Sequence, residues 1–383
     1  MVGRPPAAQR EALSAYRLTL TAYRLLPAVM NDNIKSIRKR IDALDQRLVK
    51  LLSARARLAQ RVGKVKAGAA YRPEREAQVL RGILKSNRGP LSGGALARLF
   101  TEIMSACRAL EDSLTIAYLG PQGTFSQEAA FKHFGGLAVM VPCGSIDEVF
   151  RQVETGAVGY AVVPVENSTE GAIGRTLDLL LATPSKICGE VMLPIRQCLM
   201  SRESRLSGIR KVYSHTQSLA QCQQWLARAL PQAERAAVVS NAEAARLASR
   251  ERRAAAIGPK TAATLYRLNL LARNIEDEAK NTTRFLVLAE HDAAPSGRDK
   301  TSLVMSTRNV PGAVRELLTP LAANQVSMSR LESRPSRTGR WEYVFYVDIE
   351  GHQQDVRVTR ALAELKEKAS FLKILGSYPA AVA

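Results

Sequence analysis

The sequence predicts a multidomain chain: an all-helical N-terminal region, a two-lobed α/β domain and a small α+β module of ferredoxin-like topology. Three observations carry that prediction. From Ile34 onward apolar residues recur at helical spacing for roughly seven turns or more. At Thr115 the period changes to short apolar runs alternating with helical stretches, which is the pattern of an α/β sheet. Beyond the Pro/Gly/Asp-containing stretch "HDAAPSGRDK" the last segment, about 80 residues, reads β-α-β-β-α-β. The expected division is an extension or leader over 1–29, a helical domain over 30–114, the α/β domain over 115–291, a linker over 292–299 and the C-terminal module over 300–383.

In the helical region, Ile34, Ile37, Ile41, Leu44, Leu48, Leu51, Leu52, Leu58 and Val62 lie on one very long helix. "KAGAAYRP" breaks it, and Pro73 suits the first turn of a second helix, "PEREAQVLRGILKSNR". "GPLSGG" is a turn, and "ALARLFTEIMSACRALEDSL" a third helix. Three helices of such unequal length leave an apolar stripe uncovered in a monomer, so a homodimer or higher homo-oligomer is expected. Ahead of them, "MVGRPPAAQREALSAYRLTLTAYRLLPAV" carries arginine, serine and threonine and almost no acid. It reads either as a cleaved leader or as an upstream extension.

The α/β region begins with the strand "TIAYLG", the turn "PQG" and the helix "TFSQEAAFKHFG". "GLAVMVPC", the helix "SIDEVFRQVETG" and "VGYAVVPVENS" follow. A second unit takes in "GEVMLPIRQCLMS", "IRKVYSH", one helix "TQSLAQCQQWLARAL", "RAAVVSNAEAARLA" and "AAAIGPKTAATLYRL", and "RFLVLAE" adds one more strand. Polar clusters stand at three strand ends: Gly120, Gly123, Thr124 and Ser126; then Glu166, Asn167, Ser168 and Thr169; then Ser214, His215, Thr216 and Gln221. Ligands of open α/β sheets bind beyond the carboxyl ends of the strands, so the three clusters point to one cleft. The glycine turn also offers backbone N–H groups to an anion. His215 is read as loop positioning or packing, because no G-x-S-x-G elbow or acid partner accompanies it.

Composition narrows the function class. A formal charge of +20 suits small anionic ligands better than nucleic acid, since the basic residues are spread along the chain and aromatics are only 5%. No apolar run approaches the roughly 18 residues needed to span a membrane, so neither nucleic acid nor membrane is expected as a partner. The five cysteines are far apart and form no C-x-x-C pair; with four histidines they suggest reduced thiols and no metal or other cofactor. A cytoplasmic location is expected from the lack of a secretion signal.

Several motifs carry a family resemblance. "AYLGPQGTFSQEAA", "VVPVENSTEGAIGRTLDLL", "YSHTQSLAQC" and "NTTRFLVL" closely resemble prephenate dehydratase. The front resembles the all-helical type of chorismate mutase, an entwined dimer, and the rear, with "LESRP", resembles an ACT regulatory domain. Together, over about residues 34 to 380 and with the motifs in order, the chain resembles the bacterial bifunctional chorismate mutase/prephenate dehydratase family. The resemblance implies chorismate and prephenate as substrates, L-phenylalanine as feedback effector, and a dehydratase fold like that of periplasmic binding proteins. Two alternatives stay open: a dehydratase whose helices only dimerise, and a non-catalytic amino-acid or keto-acid sensor.

Chorismate is a dicarboxylate, so its site needs fixed cations. Arg55 and Lys66 are eleven residues apart, about 16 Å along one helix face, whereas Arg38 falls on another face. The resemblance implies that Arg38 comes from the second subunit and, with Arg55, holds the two carboxylates. It further implies Lys66 on the ether oxygen, Arg75 as electrostatic support, Glu76 on the ring hydroxyl, and Cys107 lining the site. The chain departs from the enteric pattern in Arg72, where an aspartate is usual, Cys107, where a serine is usual, and Glu111, where a glutamine is usual. A carboxylate facing the developing negative charge helps only when protonated, so mutase activity is expected to fall as pH rises.

In the dehydratase the resemblance makes Thr283 of "KNTTRF" the essential hydroxyl and Arg284 the neighbouring carboxylate binder. Thr124, Ser126, Glu166, Asn167, Ser168, Thr169, Ser214 and Gln221 are the remaining expected contacts to prephenate. In the C-terminal module, "NVPGAV" resembles the glycine-containing loop by which ACT modules hold an amino acid, which implies Gly312, Ala313 and Val314 at the effector. Asn324 is expected to reach it across a dimer interface, and Glu332, Ser333, Arg334 and Pro335 form the regulatory stretch.

Overall fold

The computed structural model describes residues 33–65, 71–335 and 343–382. The expected extension over 1–29 and Lys66 lie outside the described residues. The chain divides into two compact units, the first ending at Leu58 and the second starting at Ala59. The long helix α1 (Ile34–Val65) buries no residue. Ile37, Ile41, Leu44, Leu48 and Leu52, at its helical spacing, are exposed.

In the second unit α2 (Pro73–Ser86) starts on Pro73 at its first turn, and α3 (Gly93–Arg108) is capped by the Ser92 hydroxyl. Tyr71, just ahead of α2, is 2% exposed; its ring sits 5.0 Å from those of Phe134 and Tyr160, and its hydroxyl pairs with His133 Nε2. Burying so large an aromatic is worth about 1.5–3 kcal/mol, which fixes the start of the helical hairpin to the α/β core.

The first α/β lobe comprises β1 (Thr115–Leu119), α4 (Phe125–Phe134), β2 (Val139–Cys143), α5 (Ile146–Glu154), β3 (Tyr160–Asn167), the two-residue β4 (Gly171–Ala172), α6 (Gly174–Ala182) and β5 (Lys186–Pro194). The second comprises β6 (Cys198–Ser201), β7 (Lys211–His215), α7 (Thr216–Gln221), α8 (Gln223–Ala229), β8 (Glu234–Val238), α9 (Asn241–Ala248), β9 (Ala254–Gly258), α10 (Lys260–Leu265) and β10 (Asn269–Arg273). Strand β11 (Thr282–Ala289) then returns to the first sheet, whose order is β2-β1-β3-β11-β5, while the second sheet is β10-β6-β9-β7-β8. The chain therefore crosses between the lobes twice, after Pro194 and before Thr282. The crossings are tied together: Ile195 N donates to the Asn281 carbonyl at 2.9 Å and Gln197 N to Glu276 at 2.8 Å.

Two details differ from expectation. The single helix expected over "TQSLAQCQQWLARAL" is interrupted at Cys222, whose backbone leaves the helical region (φ −118°, ψ 17°) while its side chain is fully buried. "NLLAR" forms the additional strand β10, antiparallel to β6.

The C-terminal module is the antiparallel sheet β13-β14-β12-β15, made from β12 (Asp299–Ser306), β13 (Met328–Pro335), β14 (Tyr343–Glu350) and β15 (Phe371–Pro379). Helices α11 (Ala313–Ala323) and α12 (Val356–Lys368) cover one face. Its other face shares one core with the first lobe, where Val304, Tyr346, Leu375 and Tyr378 pack with Leu177, Leu180 and Ile187. The approach of β15 to β5 needs a glycine: at Gly376, φ +152°, a Cβ would fall 2.2 Å from the Ile187 carbonyl oxygen. The expected linker is also fixed in place. Asp299 accepts from Ser296 N and Gly297 N, and Arg81 of α2 donates to Ser296 Oγ at 3.0 Å and to the Arg298 carbonyl at 2.7 Å.

Candidate active sites

Four of the expected dehydratase residues, Asn167, Ser168, Thr169 and Thr283, gather where β11 enters the first sheet. Thr283 is opposite Asn167 in the β11–β3 ladder, so the two side chains share a face. Asn167 Nδ2 donates to Thr283 Oγ1 and to Asn281 Oδ1, both at 2.8 Å. Its Oδ1 accepts from Thr169 Oγ1 at 2.6 Å and from the Thr169 and Glu170 backbones. Ser168 closes the turn by accepting from Thr282 N at 3.0 Å. Because Thr283 Oγ1 is used as an acceptor by Asn167, its own proton is directed away from that contact. Asn281 is 2% exposed, and its Nδ2 is buried without a hydrogen-bond partner.

The second lobe meets this cluster through a polar chain. Gln221 Nε2 donates to Glu170 Oε1 at 3.2 Å, Gln221 Oε1 accepts from Gln197 Nε2 at 3.1 Å, and Gln197 Nε2 also reaches Ser218 Oγ at 3.0 Å. Ser218 accepts in turn from Asn241 Nδ2 at 2.9 Å. Sequence reasoning missed Asn281, Gln197, Ser218 and Asn241. Asn281 and Ser218 stood inside quoted motifs, whereas nothing in the surrounding sequence marks Gln197 or Asn241.

Three expectations are corrected by the side-chain directions. Arg284, next along β11, faces the opposite side of the sheet and is 7% exposed. Its Nε donates to Glu190 at 2.9 Å, its Nη2 to Tyr378 Oη at 2.8 Å, and its Nη1 pairs with Asp348. Burial opposes the charge, but Tyr378, Asp348 and Glu190 outweigh it and hold the guanidinium pKa above its ordinary value. So engaged, Arg284 is not the prephenate carboxylate binder. Glu166 is opposite Arg284 in the same ladder, and its carboxylate lies 2.9 Å from Arg330 Nε of β13 rather than in the cleft. Ser214 is fully buried, with its hydroxyl directed at the Ile257 carbonyl at 3.0 Å and at Asn241 Oδ1 at 3.1 Å. That hydroxyl serves the interior of the second lobe.

At the glycine turn Thr124 caps α4, accepting from Gln127 N at 3.4 Å and donating to the Leu119 carbonyl at 3.0 Å. Gly123 N donates to Gln127 Oε1 at 2.7 Å. The turn thus satisfies two of the donors that the sequence offered to an anion. Ser126 is 6% exposed. At Gly123, φ +88°, a Cβ would meet Leu265 of α10 at 3.3 Å, so this turn is where the first lobe approaches the second. His215 N-caps α7 by accepting from Gln217 N at 3.4 Å.

In the helical region Arg38 is exposed and Arg55 half-buried. Within the second unit, Arg75 is exposed and Glu76 pairs with Arg108, a residue sequence reasoning missed. Arg108 also donates to the Phe134 carbonyl and lies 5.4 Å above the Tyr71 ring. Cys107 is 7% exposed. Glu111 rests against Gly63 of α1, where a Cβ would fall 2.7 Å from Glu111 Oε2. Its carboxyl therefore sits against the last turn of α1.

In the C-terminal module Gly312 has φ +82° at the N-terminus of α11 and is followed by buried Ala313 and exposed Val314. Asn324, at the other end of the same helix, donates to Glu364 Oε1 at 3.0 Å. On β13 the even residues Arg330, Glu332 and Arg334 are the less exposed ones, and Arg334 pairs with Asp178 of α6 at 3.3 Å; Ser333 and Pro335 are exposed. No helix among the described residues is long and apolar enough to cross a membrane.

Three family models match the chain in order. They are chorismate mutase type II over residues 37–112, prephenate dehydratase over 116–293 and the ACT domain over 301–367. The bifunctional chorismate mutase/prephenate dehydratase of Neisseria gonorrhoeae is 54% identical over 349 residues, covering 90% of this chain and 96% of the relative. That of Stutzerimonas stutzeri is 51% identical over 360 residues, 92% of this chain and 99% of its own. Among solved structures, the prephenate dehydratase of Arthrobacter aurescens in complex with L-Phe superimposes with a TM-score of 0.65 at 34% identity, over 70% of this chain and 93% of that one.

Proposed function

The chain belongs to the bifunctional chorismate mutase/prephenate dehydratase family, and from that premise we infer how its residues carry out the two reactions. It is an enzyme that rearranges chorismate to prephenate and converts prephenate to phenylpyruvate. The observation that carries the dehydratase assignment to particular residues is the hydrogen bond from Asn167 Nδ2 to Thr283 Oγ1 at 2.8 Å.

In the dehydratase reaction the bond from the ring to its carboxylate breaks, its electrons enter the ring, and the ring hydroxyl leaves from the opposite carbon. Aromaticity drives the step, and the protein must orient the substrate and protonate the departing oxygen. With Asn167 occupying an acceptor site on Thr283, the threonine O–H is aimed at the leaving oxygen. Thr283 donates a hydrogen bond to the departing hydroxyl, the proton that completes water comes from solvent, and the ring carboxylate leaves as CO2. Ser168, Thr169 and Gln221 line the cleft around them, with Thr124 and Ser126 at the glycine turn opposite.

The mutase reaction is pericyclic and needs neither nucleophile nor base. Holding the compact chair and stabilising negative charge on the ether oxygen suffice. Arg55, Lys66 and Arg75 supply cations, Glu76 is held for the ring hydroxyl by Arg108, and Cys107 lines the site. Glu111 stands where the reaction calls for a donor to the ether oxygen. A second copy of the chain covers the apolar stripe of α1 and brings its own Arg38, which makes the active protein a homodimer at least. The boundaries near residues 30, 115, 292 and 300 separate mutase, dehydratase, linker and effector module.

The effector is L-phenylalanine, which binds at Gly312, Ala313 and Val314, with Asn324 contributed by another copy. Glu332, Ser333, Arg334 and Pro335 relay its binding to the dehydratase. Feedback inhibition requires that the effector bind two states of the chain unequally.

The test supplies purified protein with chorismate and follows prephenate and phenylpyruvate, with and without L-phenylalanine. Formation of both products, with less phenylpyruvate in the presence of the amino acid, is the expected result. Phenylpyruvate formed only from added prephenate would mean that the helices merely dimerise.

A further inference from the structure

Resting on the dehydratase reading above, we propose that Asp348 and Arg330 of the C-terminal sheet are positioning residues for the chemistry at Thr283. Neither touches the substrate. Each acts through the rung of the β11–β3 ladder that follows the catalytic one.

Two consecutive rungs carry the inference. The first, Thr283 with Asn167, faces the cleft and contains the hydrogen bond that orients the threonine hydroxyl. The second, Arg284 with Glu166, faces the other side of the sheet. There Arg284 is gripped by Asp348 of β14 and Tyr378 of β15, and Glu166 lies 2.9 Å from Arg330 of β13. Consecutive residues of a strand cannot move independently, so a shift of the C-terminal sheet displaces the donor and acceptor of the catalytic rung together with the anchored one.

The ladder is also least regular here. Its register shifts between Arg284 and Phe285, while the pairing of β11 with β5 runs unbroken across the same residues, so the break loosens the β3 side of the rung. Side-chain anchors then add to the β11–β5 ladder in placing Glu166 and Asn167 against β11. The anchor on Arg284 is buried and charge-balanced: Arg284 and Lys300 face Glu190 and Asp348, with Lys300 Nζ 2.9 Å from Glu190. Ser302 Oγ donates to the second Asp348 oxygen, so that carboxylate is held on both sides. The anchor on Glu166 is looser. It is an ion pair without hydrogen-bond alignment, and the glutamate side chain is 37% exposed. Arg330 shares β13 with the regulatory stretch from Glu332 to Pro335 and lies on the same face as Glu332 and Arg334. A rearrangement of that strand would therefore reach Asn167 through Glu166.

The experiment uses the full chain and measures dehydratase kcat and KM with prephenate, mutase rate with chorismate, and thermal melting. For Asp348→Asn and for Arg330→Met, dehydratase kcat is expected to fall about tenfold, while KM and the mutase rate stay within about twofold. Arg330→Lys should recover most of the loss, and Glu166→Gln combined with Arg330→Met should be no worse than the poorer single variant. A kcat within about twofold of the parent in both Asp348→Asn and Arg330→Met, with melting unchanged, would overturn the proposal. So would a raised KM with unchanged kcat in Glu166→Gln, because Glu166 would then contact substrate. If Asp348→Asn loses mutase activity and melts early, it has failed to fold, and the Glu166–Arg330 pair decides. A parent chain that makes no phenylpyruvate from added prephenate removes the dehydratase reading itself, before any variant is compared.

Discussion

Thr283 and Arg284 are neighbours in sequence, yet their side chains leave β11 on opposite faces: Thr283 meets Asn167 in the cleft, and Arg284 meets Glu190 and Asp348 under the C-terminal sheet. On the dehydratase mechanism proposed above, one strand end serves catalysis and domain attachment together. The two roles separate in the following experiments.

Thr283→Ala removes the hydroxyl proton aimed at the leaving oxygen. Dehydratase kcat should fall by about 10²–10⁴-fold, the usual worth of a positioned acid. The chain should keep its fold, because the methyl-sized side chain still fits a site already 8% exposed. Mutase activity, assayed on the same sample with chorismate, should stay near that of the parent. Loss of both activities together would show that the residue only helps the strand to fold.

Asn167→Ala strips a buried partner from both Thr283 and Asn281 and unties the turn at Thr169 and Glu170. Leaving buried polar groups unpaired costs about 1–3 kcal/mol, so denaturant midpoints should drop with it. Dehydratase kcat should fall along with stability, whereas Thr283→Ala should affect kcat far more than stability. Equal effects of the two substitutions on melting would contradict the network described for Asn167.

The motif positions were legible in the sequence because polar residues at three strand ends must face the ligand side of an α/β sheet. What the sequence did not show is which alternate residue of each stretch faces which way. Period two puts Asn167 and Thr283 on one face and Glu166 and Arg284 on the other. Only the third sheet, packed on that second face, explains why a glutamate and an arginine are there. The same holds for Ser214, whose acceptor Ile257 lies on a distant strand. Cys222 was missed as a helix break because its neighbours Leu219 and Leu226 keep helical spacing across it.

Glu111 lies at the end of α1 against Gly63, where the mutase reading needs a donor to the ether oxygen. A carboxylate there repels the negative charge that grows on that oxygen, whereas an amide N–H would stabilise it. Glu111→Gln should therefore raise mutase kcat/KM by about tenfold or more. A kcat/KM equal to that of the parent would remove Glu111 from the mechanism.

His133 supplies the last prediction, one of stability rather than rate. It is half-buried beside Tyr71 and Phe134, with ring centroids 5.9 and 4.8 Å away. Burial, then the charges of Arg108 and Lys132, push its pKa down to about 3. In the unfolded chain it titrates at about 6.5, so below that pH the unfolded state binds a proton that the native state refuses. Its contribution is therefore complete above about pH 6.5 and is lost as pH falls toward about 3. Between pH 7 and pH 5 this group alone should remove about 2 kcal/mol from the unfolding free energy. His133→Asn keeps a polar partner for the Tyr71 hydroxyl but cannot titrate. Urea unfolding of the two chains at both pH values should show a flatter pH dependence for the variant, even if its stability at pH 7 is lower. Parallel pH dependences would mean that His133 takes up its proton in the native state, and the core around Tyr71 would have to open to water to allow it.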